Sequence, residues 1–148
     1  MPNEGMNAKG PSNDEYETPL WLFKALDTEF GFTFDAAANE KNHLCDRWTD
    51  DLLGRKPDPG SRVFCNPPYS KIDMFVDFAL HRNELWVLLL PSRTGNDWFR
   101  KLTESPKVQI RFLRKRIQFL IDGKPPLGKD GKPQGPRFDS LIAIVKPR

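Results

Sequence analysis

The chain lacks any apolar run long enough to cross a membrane. Its longest, Leu85–Leu90 (LWVLLL), is 6 residues, against roughly 20 for a spanning helix. Residues 1–13 are polar and hold no apolar stretch, so they read as a disordered tail and not as a signal peptide. Cysteine is nearly absent: Cys45 and Cys65 are the 2 present, which excludes a disulfide framework and makes a reducing, cytoplasmic setting the expectation. His43 and Cys45 lie close together, but with no second pair of ligands they fall short of a zinc site, and no metal is expected. Apolar residues are sparse as well, at 38%, while 14 prolines and 10 glycines imply many loops. The 148 residues suit a single domain, with 14–148 as its body.

What is present is unevenly charged. Residues 1–90 hold 9 Lys and Arg against 15 Asp and Glu, a net −6; residues 91–148 hold 14 against 5, a net +9. A basic half on an acidic body points to a polyanion on one side of the fold. The hydrophobic pattern alternates between helix and strand periods. Thr18-Pro19 has the composition of a helix start, and Leu20, Phe23, Leu26 and Phe30 form a stripe that Gly31 would end. Phe32–Asp35 alternates as a strand. A short helix is expected over Ala36–His43, and a brief strand within Arg47–Leu53. Arg62–Cys65 is the next strand, Ile72–Arg82 a helix, and Leu85–Leu90 a strand covered on both faces. Asn96 or Asp97 caps a helix bearing Trp98, which reads as core. Val108–Leu113, Arg116–Ile121 and Ser140–Val145 read as strands. Between the last two, residues 122–137 are Gly, Pro and Lys with almost no apolar content, the mark of a mobile basic loop. The alternation predicts an α/β domain with a mainly parallel sheet and an antiparallel C-terminal strand. In such sheets ligands bind beyond the carboxyl ends of strands, where Asp35, Asn66 and Pro91 fall.

Asn66-Pro67-Pro68-Tyr69 follows the strand that ends at Cys65. The two prolines stop the sheet and fix the backbone, having no N–H to donate. An Asn side chain offers a carbonyl acceptor, and the Pro67 carbonyl a second. Together they suit the two N–H donors of an exocyclic amine, leaving its lone pair free to attack. Positive charge developing on that nitrogen would meet preorganised negative dipole ends. Tyr69 offers a face for the ring that bears the amine. A simple strand-ending turn accounts for the prolines, though not for the amide before them or the ring after them.

These residues match the Asp/Asn/Ser-Pro-Pro-Tyr/Phe/Trp signature of amino-group methyltransferases that use S-adenosylmethionine. With "DEYETPLWLFKALDTEFGFTFDAAANEKN", "RVFCNPPYS", "LLLPSRTGNDWF" and "IRFLRKRIQF" in this order, the chain resembles the small phage-type DNA N6-adenine methyltransferases (Dam-like) over residues 14–146. The resemblance implies a reduced class I (Rossmann-like) methyltransferase fold, S-adenosylmethionine as cofactor and double-stranded DNA as partner. It implies a catalytic group of Asn66, Pro67, Pro68 and Tyr69. It also implies a cofactor site that includes Thr18, Pro19, Asp35, Ala36, Asp50 and Asp51. The basic residues Arg93, Arg114, Arg116, Lys124, Lys129 and Lys132 are the expected DNA contacts. One departure stands out. Relatives carry a glycine-rich turn after the first strand; here that turn reads Phe34-Asp35-Ala36-Ala37-Ala38. The span from Asp35 to Arg62 is also short for two helix–strand repeats, so the partners of the cofactor's ribose and adenine are expected to be rearranged. Methylation of RNA or of a protein glutamine amide, or DNA binding on a scaffold that has lost catalysis, are the alternatives at this point.

Overall fold

The computed structural model describes residues 13–148. The expected tail at 1–13 lies outside the described residues except for Asn13, which opens a single 3-10 turn, Asn13–Glu15. Three α-helices and five strands follow among the described residues: α1 (Leu20–Phe30), β1 (Phe34–Asp35), β2 (Arg62–Cys65), α2 (Ile72–Leu80), β3 (Leu85–Pro91), α3 (Asp97–Glu104), β4 (Val108–Phe112) and β5 (Ser140–Val145). The result is a mixed α/β fold on one open sheet, ordered β1-β2-β3-β5-β4. β1, β2 and β3 run parallel, whereas β5 pairs antiparallel with β3 on one side and β4 on the other. β4 therefore points the same way as β1–β3. This topology brings the ends of β1–β4 and the start of β5 to one edge of the sheet. Asp35, Asn66, Arg93, Arg114 and Asp139 all lie there.

The centre of the sheet, β3 and β5, is buried on both faces, and β3 shows why an unbroken apolar run was needed. Trp86, Leu88 and Leu90 join Phe75, Val76, Trp98 and Leu102 of α2 and α3 on one side. Val87 and Leu89 join Leu22, Phe23 and Leu26 of α1 with Ile117 and Phe119 on the other. The strand alternates at period 2, yet each face meets helices, so all seven residues are buried. Trp98, at 4% exposed, is core as expected.

Five local expectations are corrected. Thr18 does not cap α1: the cap position is Pro19, extended at φ −64°, ψ 141°, with no side-chain cap bond. The buried stripe of α1 is Leu22, Phe23 and Leu26, while Leu20 is half exposed, because the helix turns its first residue toward the edge that carries the clefts. Ala36–His43 is not helical. Its Asn39 and Asn42 side chains accept from local backbone N–H groups, a competition with helix that such residues win at turns. Arg116–Ile121 alternates in burial without joining the sheet. β4's inner neighbour is already β5, so the segment instead pairs with residues 16–18 through a single antiparallel bridge, Glu17 to Leu120. The brief strand expected within Arg47–Leu53 is reduced to one parallel bridge, Asp35 to Trp48.

Candidate active site

Asn66 leaves β2 at the common edge, and its amide is held from behind. Its Nδ2 donates to the Tyr16 carbonyl and to the Thr18 hydroxyl, both at 3.1 Å. A backbone carbonyl only accepts, so the nitrogen must face Tyr16 and the oxygen must face away. Among the described residues, neither Asn66 Oδ1 nor the Pro67 carbonyl receives a hydrogen bond. Two acceptors are thus left open at the end of a buried strand. Asp14 fixes the other end of the motif: its carboxylate accepts from the Ser70 amide at 2.8 Å and the Ser70 hydroxyl at 2.6 Å. These bonds hold its pKa below the usual carboxylate value.

Tyr69 begins the 3-10 turn Tyr69–Lys71 that leads into α2. Its ring stands edge-on to Tyr16, Phe119 and Phe138, at 6.2, 6.4 and 5.6 Å between centroids. Those three rings lie nearly parallel to one another. The Arg93 guanidinium sits over the Tyr69 ring at 5.7 Å, a cation–π arrangement. Burial raises the phenol pKa well above its usual value, and the hydroxyl has no hydrogen-bond partner among the described residues. Tyr69 is thus placed by its ring and not by its oxygen.

Two clefts meet at this motif and share Ala37 and Asn42. One, of about 320 Å³, is lined by Ala36–Ala38, Asn39, Asp50, Asp51, Leu53, Pro68 and Phe75 among others. The other, of about 380 Å³, is lined by Thr18, Asp35, Lys41, His43 and Asn66 among others. The glycine-free turn between them takes no left-handed backbone. The positive φ values among the described residues fall elsewhere, at Gly31, Gly60, Gly123, Gly131 and Asp122. Small side chains suffice there, since Ala36 and Ala38 are buried and their amides bond Phe64 and Thr49 carbonyls.

The expected cofactor residues divide. Asp50, Asp51 and Ala36 line the first cleft, though Asp51 also accepts from the Gly54 amide. Asp35 is 3% exposed and turned onto its own loop, accepting from Leu44 at 3.0 Å and Ala37 at 3.4 Å. Burial raises its pKa despite those bonds. The Thr18 hydroxyl is engaged by Asn66, and Pro19 serves as the start of α1. Of the expected DNA contacts, Arg116 pairs with Asp139 at 3.3 Å. Arg93, Arg114, Lys124, Lys129 and Lys132 form no ion pair among the described residues. Arg111 of the same basic run is clamped to Glu29 through two bonds. Sequence reasoning missed Tyr16, Phe119 and Phe138. Tyr16 and Phe119 lay within quoted blocks without a signature of their own, and the Glu17–Leu120 bridge that sets them side by side, like the stacking of Phe138 on both, is formed only in the fold.

A family profile described as DNA N-6-adenine-methyltransferase (Dam) matches residues 5–147. The chain belongs to the Dam family. It is also 30% identical over 128 residues to the DNA N-6-adenine-methyltransferase of Escherichia phage T1, an alignment that covers 81% of this chain and 53% of that protein. The chain therefore spans about half the length of this Dam relative.

Proposed function

We propose that this member of the Dam family transfers a methyl group from S-adenosylmethionine to the N6 amine of adenine in double-stranded DNA. The observation that carries the reading is the tethered amide of Asn66. With Nδ2 held by Tyr16 and Thr18, Oδ1 and the Pro67 carbonyl stay free to accept the two N–H groups of an amine. Accepting both draws the nitrogen toward a tetrahedral shape and frees its lone pair. The positive charge that develops then meets two fixed dipole ends, and no general base is needed at the attacking step. S-adenosylmethionine supplies an electrophilic methyl on a sulfonium. The first cleft suits its adenosine: alanines permit close approach, Phe75 and Pro68 are apolar, and Asp50 and Asp51 suit hydroxyl or amino donors. The reduced class I sheet, cut to five strands, accounts for these partners coming from the 50–53 turn. The cytoplasm of a bacterial or phage-infected cell is the setting that two buried free thiols fit.

The target adenine must leave the duplex stack, at a cost of a few kcal/mol. Tyr69 offers the receiving ring, and the unpaired basic residues at the same edge neutralise phosphates. The family favours DNA over the RNA and protein acceptors that share such a motif. The test is transfer of tritiated methyl from S-adenosylmethionine to duplex DNA, with RNA and protein acceptors in parallel. Wild type is expected to label DNA at adenine, and Asn66→Ala to lose about two orders of magnitude or more, the scale for removing a preorganised dipole. Undiminished labelling by Asn66→Ala would end the mechanism.

A further inference from the structure

Residues 122–137 form a closed finger. Pro126 and Gln134 meet at its base, Gln134 N to Pro126 O at 2.7 Å, and Leu127 bridges Pro133. The tip is turned by Gly128 N to Lys132 O at 2.8 Å and Gly131 N to Gly128 O at 3.0 Å. Asp130 is bent back onto the Lys132 amide. The finger is braced directly on the catalytic ring, because its two roots, Phe119 and Phe138, stack on each other at 5.7 Å and abut Tyr69. A further tie runs from the Gly123 amide to Glu17 Oε1 at 3.0 Å. Its outer surface has one large apolar side chain, Leu127, 53% exposed and part of neither core. The same finger carries Lys124, Lys129, Lys132 and Arg137, all exposed and without an ion pair among the described residues.

An exposed apolar side chain on a hydrogen-bonded finger that also carries exposed cations without ion pairs fits a partner that is anionic outside and apolar within. A base-paired stack has that chemistry, and proteins that open it insert side chains such as leucine between base steps. We propose that the finger is the flipping wedge of this protein: it enters the duplex beside the target adenine, Leu127 fills the space left in the stack, and the lysines hold the flanking phosphates. The bracing through Phe119 and Phe138 couples the wedge to the ring that receives the base. This inference rests on the DNA-methylation reading and adds to it the element that takes the base out of the helix.

The experiment compares wild type with Leu127→Ala and Leu127→Met on two substrates. One is a short duplex around a position that wild type methylates. The other is the same duplex with an abasic site opposite the target, where the base is already unpaired. Leu127→Ala is expected to lose about tenfold in rate on the paired duplex, a modest part of the flipping cost, and to retain its rate on the abasic duplex. Leu127→Met, which keeps an apolar wedge, is expected to restore the paired rate. With 2-aminopurine at the target, the fluorescence rise on binding is expected to fall in Leu127→Ala only. Lys129→Ala with Lys132→Ala should weaken duplex binding and lower the salt slope by about two. Calorimetric titration with S-adenosylmethionine checks that each variant is folded. An equal loss on both duplexes, or an unchanged paired rate, overturns the wedge while leaving methylation intact. Absence of methylation of any DNA by wild type overturns the activity reading and the wedge with it.

Discussion

Replacing Thr18 with valine probes the tether that makes Asn66 an acceptor. Valine keeps the shape and removes the hydroxyl. Thr18 is 8% exposed, so water does not readily take its place. Asn66 Nδ2 then keeps its bond to the Tyr16 carbonyl and loses the one at 3.1 Å to Thr18 Oγ1. A hydrogen bond of this kind contributes about 1 kcal/mol net, equivalent to a fall in melting temperature of roughly 2–4 °C for a chain of this size. If the same free energy holds the amide in its reactive orientation, kcat falls about fivefold, since about 1.4 kcal/mol is tenfold. The assay is single-turnover methyl transfer at saturating cofactor and DNA, with calorimetry for cofactor affinity. Thr18→Ser should recover both rate and stability. In an Asn66→Ala background the valine change should add nothing to the rate, because interacting residues are non-additive. An unchanged kcat with a raised KM for S-adenosylmethionine would refute the argument, and would instead put Thr18 against the cofactor, as the family resemblance implies.

Two other variants test buried polar groups at the same edge. Tyr69→Phe deletes a buried hydroxyl that has no partner among the described residues; it is expected to raise stability by about 1 kcal/mol in urea unfolding while leaving the stacking ring and most of the activity, and a loss of stability would show that the oxygen is satisfied. Asp35 has its pKa raised by burial, so the folded chain holds its proton to higher pH than the unfolded chain. Its contribution is fully present below the unfolded value of about 3.8 and is lost as pH rises through the folded value. Wild-type stability relative to Asp35→Asn should therefore fall from acid toward neutral pH in urea titrations; a difference that grows with pH would contradict the assignment.

The parts of the fold visible in sequence were those where one local signal and the tertiary demand agree. Leu85–Leu90 could be read as a doubly covered strand because nothing but burial on both faces tolerates such a run, and helices do cover both faces. The motif at Asn66 was legible because two prolines stop a strand wherever they occur. Arg116–Ile121 misled because burial at period 2 reports a covered face and says nothing of which backbone supplies the hydrogen bonds; here it is the segment around Glu17 and not the sheet. Thr18-Pro19 misled for a related reason. Its local composition suits a helix cap, but the hydroxyl is engaged by an amide 48 residues away.

The same contrast resolves the glycine-free turn. Glycine serves two needs in such turns, positive φ and close approach, and sequence alone cannot say which one applies. Here β1 is only two residues long, and its continuation is held by Arg47 and Thr49 through backbone bonds to Asp35 and Ala38. A partner strand shortened to this turn lets residues 35–38 stay in extended or right-handed backbone, so only closeness is required. Alanine meets it, with Ala36 at 1% exposed beneath the cleft. The absence of glycine and the shortness of the Asp35–Arg62 span fit together: with Trp48 bridged directly to Asp35 the turn needs no positive φ, and Asp50 and Asp51, which follow that bridge, line the first cleft.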